Sequence, residues 1–297
     1  MQDATGPDPG SDPTAADDAA HETPPGDAPD LPRPDPLTPD PLTPDSHEIP
    51  LPDAVSPPVC PANNDGRIDA AEMPVAIGAA PAFVANAYGT EVAVAVDPVD
   101  GAWDFTEGPE DVRTPMSVLA PGGFWFADRF PGATFVSPLS AQDPSVVAVY
   151  LADGTGVRLM GVASAEADPP SGRTLVVYDV PVPLFEFPLE VGRTYGATSS
   201  FKDALLFGIP NAGKEEYAIA VDAAGTLVLP AFTLHNTLRL RVEVSQRLVV
   251  APQPDPIRSI QFIFVHECIG EVARISSPVN TTDPHFATAR EFRRLSF

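Results

Sequence analysis

The apolar positions along this chain recur with a period of two far more often than with a period of 3.6. The clearest stretch is Leu238 to Ser245. There Leu238, Leu240, Val242 and Val244 point one way, and Arg239, Arg241, Glu243 and Ser245 the other. This predicts an antiparallel strand with one face on a core and one in water. Val92, Val94 and Val96 keep the same step. Ile260 to Val265 is apolar almost throughout, which predicts a central strand covered on both faces. Val146 to Leu151 and Gly156 to Val162 flank Asp153-Gly154, a favoured tight-hairpin dipeptide.

The stretch Leu175 to Tyr195, LVVYDVPVPLFEFPLEVGRTY, organises the middle of the chain. Leu175 to Tyr178 reads as a strand. Pro181 and Pro183 carry no amide hydrogen, so the expectation is an extended segment across a sheet edge rather than a central strand. Further strands are expected over Tyr195 to Phe207 and Tyr217 to Val221, with turns at Pro210 to Gly213 and Asp222 to Gly225. The tail, Phe286 to Phe297, is expected to form one short helix. With no strand–helix–strand spacing, the pattern predicts a mostly-β domain over residues 59–297. Its form is a curved antiparallel sheet, half-open barrel or sandwich with one or two short helices.

Composition changes the picture most at the start. Residues 1–58 hold 16 of the 38 prolines and 13 acidic residues against one basic residue, Arg33. The first aromatic residue is Phe83. Such a segment has too little apolar surface to offset its ordering entropy, so a disordered acidic Pro-rich linker is expected. The net charge of −24 leaves no basic patch for phosphates and argues against a nucleic-acid partner. The start, Met1-Gln2-Asp3, has neither a basic nor an apolar export region. Either the chain is cytosolic or an export signal has been removed; the second reading is favoured, and the small-polar, Pro/Asp-rich character suits a segment placed directly after a lipidated cysteine.

Candidate chemistry is sparse. Cys60 stands where the linker ends and Cys268 beyond the last long apolar run; the pair is expected to form a disulfide, as an exterior compartment permits. Residues 63–72, NNDGRIDAAE, admit two readings. One is a calcium loop aligned on Gly66, with Asn63, Asp65, the Arg67 carbonyl, Asp69 and Glu72 as ligands and Pro61 where a first oxygen is wanted. The other is an Asx-turn followed by a helical turn capped by Asp69. The aromatic residues Phe124, Trp125, Phe185 and Phe187 are candidates to line an apolar ligand site, set against the plainer reading of core. No nucleophile elbow, zinc-binding His-Glu-x-x-His or phosphate loop is present, and no catalytic residue is assigned. His266-Glu267-Cys268 cannot converge on one atom if the segment is a strand, because neighbours face opposite sides.

Four short elements carry a resemblance: Asn63-Asn64-Asp65-Gly66, Tyr178-Asp179-Val180-Pro181, Phe187-Pro188-Leu189 with Gly192, and Cys268-Ile269-Gly270. In these the chain resembles a group of uncharacterised Gram-negative secreted lipoproteins. Its C-terminal half also resembles the curved half-barrels of Lol-type lipoprotein carriers. The resemblance implies a periplasmic or cell-surface location and no activity. The expected function is that of a non-enzymatic, tethered binding or assembly protein with an unknown protein partner. The alternative is a carrier of a lipid or other apolar small molecule in a curved sheet. A membrane tether through a lipidated N-terminus is expected under either.

Overall fold

The computed structural model describes residues 60–73, 75–249 and 255–296. The predicted linker, residues 1–58, lies outside the described residues. The body is built from fifteen strands: β1 (Ala82–Ala85), β2 (Val92–Ala93), β3 (Ala102–Asp104), β4 (Val112–Pro115), β5 (Phe135–Pro138), β6 (Val146–Asp153), β7 (Gly156–Ser164), β8 (Leu175–Glu186), β9 (Thr194–Leu206), β10 (Ile209–Val228), β11 (Thr233–Leu248), β12 (Ile257–His266), β13 (Gly270–Ser276), β14 (Thr288–Ala289) and β15 (Glu291–Ser296). Helix among the described residues is confined to three single 3₁₀ turns.

One large sheet runs in the order β4-β1-β15-β13-β12-β11-β10-β9-β8-β7-β6-β5 and is antiparallel along that path. Strand β3 adds to β10 in parallel, and β2 pairs with β14 apart from the sheet. The mostly-β, open curved-sheet class expected from the sequence is the fold observed. The sheet does not close into a barrel through a ladder. Its two ends meet instead at one bridge: Leu119, just past β4, exchanges amide–carbonyl bonds of 2.9 Å with Val136 in β5.

The curl follows from where the apolar faces go. One face of β6 to β12 fills a single cluster containing Ala148, Leu159, Val182, Phe201, Val221, Leu240 and Ile263. Residues from so long an arc share one cluster only because the sheet wraps around them. The opposite face of β12 carries Phe264, which packs edge-on against Trp103 and Phe105, and Phe262, which stacks on Phe286. Strand β12 is therefore buried on both sides, as its unbroken apolar run predicts. A third cluster, Phe126, Phe130, Val147 and Val149, covers the outer side of β5 to β8.

Four expectations need correction. The prolines do not move β8 to an edge: Pro183 pairs opposite Arg158 inside a continuous strand between β7 and β9. The ladder to β7 absorbs them through two register shifts, and the ladder to β9 lapses to the single pair Leu175–Leu205. The expected turns at 210–213 and 222–225 lie within the 20-residue β10 as irregularities of its ladders. The actual turn is Phe207-Gly208, with φ of 50° and 78°. Arg239 is not on a wet face. The loop carrying β3 folds over it, leaving it 8% exposed against the Phe262 ring at 4.4 Å, with Asp222 taking its Nε at 2.8 Å. The tail forms β14 and β15, not a helix, because pairing with β1 and β13 buries Phe292, Arg293, Arg294 and Leu295.

Cys60 and Cys268 are disulfide-bonded, with Cα atoms 5.6 Å apart and a sequence separation of 208. Closing a loop of that length restricts the unfolded chain strongly. Cys60→Ser is expected to lower the unfolding free energy by about 2–5 kcal/mol in urea titration; an unchanged midpoint would show that the bridge contributes nothing to stability.

Candidate functional site

The segment 60–72 is a clasp rather than a cation loop. Asn63 Oδ1 accepts the Asp65 amide at 2.8 Å and Asp65 Oδ1 accepts the Arg67 amide at 2.9 Å, two successive Asx-turns. Arg67 donates to Asp69 Oδ1 at 3.0 Å, and Glu72 Oε2 accepts the Asp69 amide at 2.9 Å. One side-chain oxygen each of Asn63, Asp65, Asp69 and Glu72 is thus taken up by the loop's own backbone or by a guanidinium. Among the described residues, no group of three or more His, Cys, Asp and Glu is placed to hold a metal ion.

The loop binds an anion of its own chain instead. Glu267, 4% exposed, accepts the Asn63 and Asn64 amides on one oxygen at 3.0 Å each. The Cys268 amide donates to the Glu72 carbonyl at 2.6 Å, and Ile68 exchanges two 2.9 Å bonds with Leu189. His266, Glu267 and Cys268 therefore serve three separate contacts: His266 faces a backbone carbonyl, Glu267 the loop amides, and Cys268 the disulfide.

The four candidate ligand-lining aromatics divide into two places. Phe124 and Trp125 pack on the outer cluster; Trp125 Nε1 donates to the Ser164 carbonyl at 2.9 Å, and the Arg173 guanidinium lies over its ring at 4.8 Å. Phe185 and Phe187 pack against the inner cluster. They also line a half-open surface groove of about 350 Å³ with Thr155, Arg158, Pro183 and Glu186. A second open groove of about 400 Å³ lies on the outer side of β10 to β12, between Glu216, Glu243 and Arg258.

Sequence reasoning missed the polar groups inside the curl. Glu215 shares the inner face with Ile219 and Val221 because strand residues alternate. It is 6% exposed. Tyr178 and Tyr217 each donate to its Oε2 at 2.6 Å, and Gln246 Nε2 donates to Oε1 at 2.5 Å. Burial, and after it the neighbouring charge of Glu215, pushes the Tyr178 phenol well above its ordinary range. Tyr217 is raised likewise, by burial first. Both stay neutral and can only donate to the carboxylate, which satisfies it without a counter-charge.

A second interior group holds Glu271, Arg274 and Arg293. Arg293, 3% exposed, places Nε and Nη2 on Glu271 Oε1 at 2.8 and 2.6 Å, and Arg274 Nη2 reaches the other oxygen at 2.5 Å. Burial alone would raise Glu271, but the two guanidiniums overcome it and hold the carboxyl below its usual range. The signal for both groups was present: Glu215 and Arg293 fall in step with buried positions of their strands. Without the pairing partners, each reads as a solvated charge.

The chain matches no protein-family model, no curated protein and no solved structure. Among the described residues, the buried clusters of Glu215 and Glu271 consist of partnered charges and neutral phenols, an arrangement suited to holding shape. The clasp makes a direct prediction: the thermal midpoint is the same in calcium and in chelator. A rise of several degrees with calcium would return residues 63–72 to the cation reading.

Proposed function

We propose that the chain is a non-enzymatic, extracytoplasmic, surface-tethered protein that binds or assembles with a partner. The observation that carries this reading is the Cys60–Cys268 disulfide, which closes the body just where the acidic Pro-rich segment ends. A disulfide between the ends of a domain is at home in an oxidising compartment. A long, like-charged, Pro-rich composition suits a spacer between a membrane attachment and a folded body. The resemblance to Gram-negative secreted lipoproteins and to the curved sheets of Lol-type carriers agrees with that placement.

The alternative, an apolar-ligand carrier, draws on the groove at Phe185 and Phe187. Arg158 and Glu186 share that groove, and the inner face of the sheet is occupied by Leu240, Val221 and Ile263, so we rank carriage second.

Protease added to intact cells that make the protein tests the location. Under the proposal the folded body is shaved from the outside, or from spheroplasts if it faces the periplasm. Alkylation before reduction leaves both cysteines unlabelled. Protection of the body together with two labelled thiols would place the protein in the cytoplasm and end the proposal.

A further inference from the structure

Two elements meet at the groove that holds Phe185 and Phe187. The β6–β7 hairpin supplies Thr155 and Arg158, and the end of β8 supplies Pro183, Phe185 and Glu186, with Phe187 directly after it. The Phe187 amide ties the two together by donating to the Thr155 carbonyl at 3.0 Å. The β7–β8 ladder shifts register between Val157 and Arg158, at the groove itself. Irregularities of this kind bend a strand and re-aim its side chains.

The polar groups of the groove are held in place by neighbours. Asp153 Oδ1 accepts the Thr155 amide at 2.8 Å and the Thr155 hydroxyl at 2.6 Å. Arg158 Nη1 donates to Asp153 Oδ2 at 2.7 Å, and its Nη2 to the Thr155 hydroxyl. Arg193 Nη2 donates to Glu186 Oε1 at 3.0 Å. Arg158 and Glu186 are therefore oriented in advance, yet their side chains stay 28% and 43% exposed. Among the described residues, Arg158 Nε and Glu186 Oε2 have no partner, so one donor and one acceptor face the groove's solvent.

Charge and surface together select the ligand class. Arg158 with Asp153, and Arg193 with Glu186, sum to zero. Past Leu189, Asp65, Asp69 and Glu190 surround the single cation Arg67, which disfavours an anion. Arg158 and Arg193 stand beside the groove's one carboxylate, which disfavours a cation. A wholly apolar ligand would cover Arg158 Nε and Glu186 Oε2 without pairing them, a costly arrangement. What fits is an uncharged molecule with hydroxyls that donate and accept, and an apolar face for the rings. A pyranose has both. Its ring C–H bonds carry partial positive charge from the neighbouring oxygens, and an aromatic ring is negative on its face.

We propose that this groove binds a neutral carbohydrate, with Phe185 and Phe187 against the C–H face of a sugar ring and Arg158 and Glu186 on its hydroxyls. A volume of about 350 Å³ is at the small end of ligand sites, which suits a short saccharide or the end of a glycan. The inference rests on the proposed role and deepens it: the partner of a tethered binding protein is then a glycan. Its test uses the purified chain and is independent of where the cell puts it.

The experiment is saturation-transfer NMR of the full 297-residue chain with maltotriose, cellotriose, chitotriose and galactobiose, each alone. Trigalacturonate and lauric acid are the charged and apolar probes. Transfer to the ring protons of at least one neutral saccharide is expected, unchanged as salt rises, with none to trigalacturonate. Arg158→Ala and Glu186→Ala are each expected to weaken binding about tenfold, and Phe187→Ala to abolish it. Phe187 also packs on the inner cluster, so Phe187→Trp is the second variant. It keeps an aromatic face, retains binding and changes its emission as the saccharide is added. Tyr88→Ser, which removes an aromatic residue 77% exposed elsewhere, leaves binding unchanged. Transfer to none of the neutral saccharides, or binding that the Arg158, Glu186 and Phe187 variants leave intact, overturns the proposal. So does binding of lauric acid that Phe187→Ala abolishes, which assigns the groove to apolar carriage. Absence of sugar binding with the body still shaved from cells would refute the glycan alone; sugar binding by a protein retained in the cytoplasm would refute the location alone.

Discussion

A sheet that curls until its ends meet, but does not zip them together, must satisfy the backbone groups of two free edges by other means. That requirement shapes the rest of this molecule. Buried amides and carbonyls without partners are costly, so a seam lacking a ladder must be filled by side chains. Here the filling is specific. Thr114 in β4 donates its hydroxyl to the Ala141 carbonyl at 2.6 Å, and Glu291 Oε1 accepts the Ala141 amide at 3.0 Å. Arg293 Nη1 donates to the Leu139 carbonyl at 3.1 Å, while its other nitrogens hold Glu271. One buried guanidinium thus ties the chain beyond β5 to β13 and β15. A buried ion pair of this kind is a weak source of stability but a strong source of register, because removing one partner strands the other. Its main work is to fix how the two ends face each other.

The same substitution of side chain for ladder recurs at β8–β9. The prolines of β8 interrupt regular pairing with β9, and three side chains span the gap. Asp179 Oδ1 accepts the Ser200 amide at 2.6 Å and the Ser199 hydroxyl at 3.2 Å, and Tyr195 donates its hydroxyl to the Leu184 carbonyl at 2.9 Å. Farther in, Tyr178 crosses β9 to reach Glu215 on β10. The sheet therefore has two zones where polar side chains replace backbone ladders, and the apolar interior lies between them. The clasp at Cys60 and Cys268 closes a third approach, over the end of β12.

Much of this was legible in the sequence, and the failures have a common cause. Alternation in β11 and the unbroken apolar run of β12 gave their places correctly, because period and burial are local properties of a strand. The cysteine pairing was legible from the positions of Cys60 and Cys268, the two cysteines of the chain. Pro181 and Pro183 were misread because the rule against proline in a central strand assumes a regular ladder on both sides, whereas β8 shifts register twice toward β7 and keeps a single pair toward β9. The tail was misread because Ala287 and Ala289 favour helix weakly, whereas burial of Phe292 and Leu295 between two strands outweighs propensity. Residues 63–72 have the oxygens of a cation loop in sequence. Only the tertiary placement of Glu267 shows that the loop amides already hold an anion. Arg239, Glu215 and Arg293 looked like surface charges for the same reason: a charge is buried by its partner, and the partner is distant in sequence.

The measurement that bears most directly on this account is native-state hydrogen exchange at the Leu119, Val136 and Ala141 amides, in the natural protein and in Arg293→Leu. If side chains close the curl, these three amides exchange slowly in the natural protein. In the variant they exchange much faster, while Leu240 and Phe262 in the middle of the sheet stay protected. Fast exchange at the seam of the natural protein, or equal protection in both, would mean that the ends of the sheet are not held by the Arg293 contacts.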